Sequence, residues 1–275
     1  MIRAALTRPF GRQAFAPRRI LFVAALVASM LIALVLTVSP ANALLFVPTA
    51  CQATPFVRDG TPLTTKVRNT SLLNQDVEAI DDFTGQPCHM GAFYDLPGSY
   101  SIVNSSVHGS TYFGIVANGG GVTLDVTDSS AFEVGDKPTH TGNQHGVAIA
   151  YLDGATGSVS RTQVYGYQKN GFAANGTGTV VTIADSRFRG AGPVDYIAQN
   201  GVQFSRGAIG GITGSTMEEH EYTGCSQQQS QQNGCTPFVS AGLLIFDSPA
   251  KSIDRKNNLY RENDFNVLNV QIPGP

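Results

Sequence analysis

Tryptophan is absent from the 275 residues, and methionine and cysteine number only four each. Charged side chains make up 14%. That is too few for a chain kept unfolded by self-repulsion, and too few for a helical bundle laced with ion pairs. Basic residues are scarce outside the N-terminus: once 1–43 are set aside, 13 basic side chains face 20 acidic ones. Nucleic-acid binding needs a basic footprint, so no such partner is expected. No CxxC spacing and no cofactor fingerprint occurs, so no metal site or cofactor is expected from motifs. What is abundant is glycine, at 30 residues, among threonine, serine and valine. That text points to many short strands and turns, an all-β chain.

Residues 1–43 hold Arg3, Arg8, Arg12, Arg18 and Arg19 and no acid. Ile20 to Val38 is a 19-residue apolar run broken only by Ser29 and Thr37, followed by Ser39-Pro40-Ala41-Asn42-Ala43. The small-x-small spacing reads as a secretory signal cleaved after Ala43. The rival is an uncleaved membrane anchor over 20–38 with the remainder outside. Both readings export residues 44–275. An oxidising compartment fits the four cysteines, Cys51, Cys88, Cys225 and Cys235, as two disulfides. Three connectivities are open. The favoured one joins Cys225 to Cys235 around a Gln-rich hairpin, 227–232, and leaves Cys51 with Cys88.

A six-residue pattern recurs: apolar, any, turn residue, Ser/Thr, any, apolar or small. It starts at Val67, Ile102, Val126, Val159, Ile183 and Ile212, and a looser copy runs from Ile253 to Leu259. Each copy is followed by a glycine and a short strand, at Gly91, Gly114, Gly146, Gly171, Gly201 and Gly242, with Asn266 in the last place. From glycine to the next copy the spacing is 11 to 13 residues, but from a copy's end to its glycine it runs from 7 to 25. The unit therefore has three strands, and insertions enter at one corner. One coil cannot bury its apolar face alone, but stacked coils form a continuous core. The expectation is a single parallel β-helix of about seven coils over 63–271, behind an N-terminal cap over 44–62. Val67 through Ile212 would form one inward stack, and Leu72, Val107, Val164, Phe188 and Met217 the next. Asn69, Asn104, Asp128, Arg161 and Asp185 would share a tight turn.

This repeat resembles that of the right-handed parallel β-helices of the pectate-lyase-like superfamily. The resemblance implies a groove above the strands that follow the glycines, walled by the inserted loops. It also implies lyases, hydrolases and inert modules alike. A lyase would need carboxylates for calcium and an Arg or Lys base; a hydrolase would need paired carboxylates. Alternation along the strands puts Phe93, Val116, Ala148, Ala173, Gln203, Leu244 and Leu268 on the groove floor, which then holds no charge. The first expectation is thus an exported binding or surface-structural protein that contacts polysaccharide or another cell-surface component. Its candidate ligand contacts are Tyr165, Tyr167, Tyr196, Gln203, His145 and Tyr222. The alternative is a polysaccharide lyase or glycoside hydrolase with loop-borne groups: Glu218, Glu219 and Glu221 as acid/base or calcium ligands, with Arg189, Arg206 or Lys169 opposite. A solvated loop is the blander account of those carboxylates.

Overall fold

The computed structural model describes residues 49–58 and 60–272. The expected signal or anchor, 1–43, lies outside the described residues. Among those described, the chain is a parallel β-helix. Three sheets run side by side, and each of seven coils adds one strand to each sheet. An eighth first-sheet strand, Phe265–Val270, follows the last coil. Every pairing between coils is parallel; the one antiparallel partner is Gln52–Arg58, which lies against Thr61–Arg68 at the first sheet's N-terminal edge.

The second and third sheets are joined by a two-residue turn in every coil. Its first residue is Asn74, Asn104, Asp128, Arg161, Asp185, Gly214 or Asn257, all with φ between 46° and 60°. Left-handed backbone favours Gly, Asn and Asp, which accounts for most of the column. The second residue carries the repeat's hydroxyl in five of the seven coils, with Gln75 in the first and Asn258 in the last. Thr162 N–H donates to Ser186 Oγ (3.1 Å), and Ser186 N–H to Ser215 Oγ (3.1 Å). Each hydroxyl in turn donates to the carbonyl two residues earlier, as Ser186 does to Ala184 (2.8 Å). The fourth position is therefore a buried ladder that satisfies backbone groups at a sharp bend.

The inward stack Ile102, Val126, Val159, Ile183 and Ile212 pairs in register as expected. Its first member differs. Leu72, not Val67, pairs with Ile102, and Val77 pairs with Val107. Val67 belongs to the first sheet, opposite Ala92. The first copy therefore begins at Leu72, and Asn74, not Asn69, heads the turn column. Asn104 Nδ2 donates to Asn74 Oδ1 (2.7 Å) along it. Asn69 also has a positive φ and satisfies the pattern by chance of composition, but it binds Asp95 at a different corner.

Glycine opens most first-sheet strands because the corner is crowded. A Cβ on Gly201 would lie 2.7 Å from the Gly242 carbonyl oxygen and 2.9 Å from His220. In the fourth coil this place is taken by Ala148, not Gly146. Ile149 pairs with Ile115, so Ala148 sits in the core and Ala150 faces outward. The expected floor residue Ala148 is thus replaced by Ala150, two positions on. Alternation also breaks once per strand: Val147 and Ala150 face outward, with Ala148 and Ile149 both inward between them.

The inserted corner, from third sheet to first, varies from one residue (264) to eighteen (223–240). Both disulfides, Cys51–Cys88 and Cys225–Cys235, are formed. The segment inside the second is a helix, Gln227–Asn233, rather than a hairpin. Ser226 accepts from the Gln229 N–H and Gln229 reaches back to the Ser226 N–H, a capping box that favours helix over strand.

Candidate functional site

A cleft of about 430 Å³ lies over the outer face of the first sheet, where the groove was expected. Its floor crosses four successive coils, from Val147 and Ala150 through Asn170 and Ala173 to Gln203 and then Phe246. The floor is less apolar than alternation predicts. Because alternation breaks before each core residue pair, Asn170 and Asn200 also face outward. Asn200 Nδ2 donates to Asn170 Oδ1 (3.1 Å), and Asn170 Nδ2 donates to Gln203 Oε1 (3.0 Å). The repeated Asn-Gly at 170–171 and 200–201 was the available sequence signal.

Cationic side chains rim this cleft. Lys169 is half-buried beside Asn170, and its Nζ donates to the Ala198 carbonyl (2.8 Å). Burial pushes its amine down to about 8. Arg206 is exposed at the opposite rim, on a left-handed residue (φ 52°) that turns the chain off the strand. Arg58 and Gln144 stand at the N-terminal end, where the Arg58 guanidinium donates to the Gln144 carbonyl (3.3 Å). Asp153 is the acid of the lining. Calcium takes six to eight oxygens, commonly from several carboxylates. A single carboxylate does not fit that demand, and among the described residues no group of three or more His, Cys, Asp or Glu side chains is placed to hold a metal.

Of the residues singled out in the sequence, Lys169, Gln203 and Arg206 come together here. The others lie elsewhere. Glu218, Glu219 and Glu221 are borne on a third-sheet strand, Thr216–Tyr222, rather than on a loop. Glu218 is buried and accepts from Arg187 Nε (2.6 Å); Glu219 pairs with Arg189 (2.9 Å). Tyr165 lies in a flat stack with Phe132 (centroids 5.0 Å apart) and His108 on the third sheet. Tyr167 is in the core, 1% exposed, so it cannot stack on a ligand. Its hydroxyl meets His220 Nε2 at 2.5 Å. Asn263 Nδ2 is committed to the Met217 carbonyl, so its Oδ1 accepts from His220 Nδ1 (2.7 Å) and the ring is neutral with Nε2 accepting from Tyr167.

His145 is buried and meets Asp136 at 2.5 Å, with its ring stacked on Tyr112 (4.2 Å). Asp136 also accepts from Thr141, from Asn143 Nδ2 (3.0 Å) and from Gln168 Nε2 (3.2 Å). That network shapes the loop 135–146 that presents Gln144, so His145 organises the groove wall. Tyr196 packs edge-on to His140, and Tyr222 packs against Phe238.

No family model matches the sequence, and neither does any curated protein. Among solved structures the chain is similar to the crystal structure of pectate lyase Pel9A, with a TM-score of 0.48 and 15% identity, over 72% of this chain and 51% of that one. The chain therefore spans about half the length of that protein. The fold assignment rests on the strand pairing given above.

Proposed function

We propose that the protein is an exported polysaccharide-binding β-helix whose ligand lies in the cleft over the first sheet. The observation that carries this is the mixture of surfaces in one groove. Sugar rings have apolar faces and hydroxyl edges. The floor offers Ala173 and Phe246 to the first, and the amides of Asn170 and Gln203 to the second. Lys169 and Arg206 favour a glycan that carries carboxylates. Two disulfides are in keeping with an oxidising compartment. The test is titration calorimetry of the purified protein with uronate-containing and neutral oligosaccharides. Binding of the uronate is expected, weakened at least tenfold in Lys169→Ala and Gln203→Ala. Equal binding by wild type and both variants would remove the groove from the account.

A second reading, a polysaccharide lyase or glycoside hydrolase, is favoured by one feature. An amine with its pKa near 8 is a base close to the working pH. Glu218 and Glu219 do not serve that reading, being ion-paired away from the cleft. Chain length should be followed over time with and without calcium. Shortening that Lys169→Ala abolishes would establish catalysis.

A further inference from the structure

The two ends of the cleft differ. Outward-facing Leu63, Phe93, Phe113, Val116 and Ala150 of the first four coils are at most 1% exposed and Ala173 of the fifth is 8% exposed, whereas Gln203 and Leu244 of the sixth and seventh are half-buried. What covers the early coils is the strand Gln52–Arg58. Its register with Thr61–Arg68 shifts between Ala53 and Val57. That irregularity turns Phe56 onto the sheet face, where its ring lies 5.7 Å from Phe93 and 6.0 Å from Phe113. Arg58 then lies over the Phe113 ring (5.4 Å) and reaches the Gln144 carbonyl on the facing loop. The strand and the loop 135–146 thus meet across the groove. Both are fastened: the strand's start is tied by Cys51–Cys88, and the loop is held by Asp136. A groove that would otherwise follow the whole first sheet is walled off over its early coils.

We propose that this wall makes the site take the terminus of a glycan chain rather than its middle. The inference rests on the polysaccharide reading and adds the substrate's topology to it. The three strands of the fifth to seventh coils, at about 4.8 Å spacing, leave roughly 10 Å of floor beyond the wall. That length holds a short oligosaccharide, and a polymer could continue only in one direction, past Phe246. Phe56 and Arg58 are the residues that determine this specificity.

The experiment is calorimetry with a uronate tetrasaccharide in three forms: both ends free, the reducing end joined to a bulky fluorophore, and the non-reducing end so joined. One of the two blocked forms should bind at least tenfold more weakly than the free form, and the other within twofold of it. Phe56→Ala should narrow that gap to threefold or less. Arg58→Ala, a surface change, should narrow it in the same direction and serves if Phe56→Ala does not fold, as checked by a thermal melt. Equal binding of all three forms would overturn the inference and leave the polysaccharide reading standing. Failure of every form, and of a neutral tetrasaccharide, to bind would overturn both. An unchanged gap in both variants would also overturn the inference, because the wall would then not be what selects the terminus.

Discussion

Ser186 shows how one hydroxyl can govern a corner. It accepts from Thr162 and donates to Ala184 while 3% exposed. Removing it strands a buried N–H and a carbonyl together. Ser186→Ala should therefore cost about 1–3 kcal/mol in denaturant unfolding. A loss below the error of the measurement would show that water replaces the hydroxyl. His220 gives a pH signature. Burial lowers its pKa from 6.5 to about 4, against the favourable bond to Asn263. Between those values the unfolded chain binds a proton that the folded one excludes. Stability should then fall as pH drops from 6.5 toward 4, by about 3 kcal/mol in all. Replacement by Gln should flatten that part of the stability curve. Under the proposed function, Lys169 bears on the ligand instead. Its charge is lost as pH rises through about 8, so affinity for a uronate should decline between pH 7 and 9, and Lys169→Arg should remove that decline.

The two disulfides do different work at the scale of elements. Cys51–Cys88 fastens the strand that walls the groove, across 37 residues of chain. Replacing both cysteines with alanine should lower stability by about 2–4 kcal/mol, seen as a shift in the denaturant midpoint. Cys225–Cys235 closes ten residues around a seven-residue helix whose surroundings are largely exposed. A helix that short is marginal alone, even with its capping box. Its disulfide should therefore control local order. Loss of that bond should raise hydrogen exchange over 226–234 and leave the exchange of the core strands unchanged. The sequence alone points to a hairpin here, because a Gln-rich run between cysteines carries no apolar periodicity to distinguish helix from hairpin, and the capping by Ser226 and Gln229 shows only in the fold.

At the scale of the whole molecule, the three-strand coil, the one-sided insertions and the two inward stacks were legible because every coil solves the same packing problem. Apolar residues must recur where the strands face the core, and a left-handed residue must recur at the two-residue turn. Those constraints are local and repeat, so composition and spacing alone specify a parallel β-helix, while the groove over the glycine-led sheet was implied by the repeat's resemblance to the pectate-lyase-like superfamily. Lys169, Gln203 and Arg206 could be singled out because they flank or sit on those strands. Their neighbours could not. Arg58 and Gln144 reach the site from an edge strand and an inserted loop, which follow no repeat. Asn170 and Asn200 face outward only because the strand's alternation breaks at a crowded corner. The start of the first copy and the displaced glycine of the fourth coil were likewise decided by pairing between coils. A hexad read along the chain does not know which strand it stacks on. Burial of Tyr167 beside His220, and the wall formed by Phe56, depend on contacts between segments far apart in sequence, and only the folded chain brings them together.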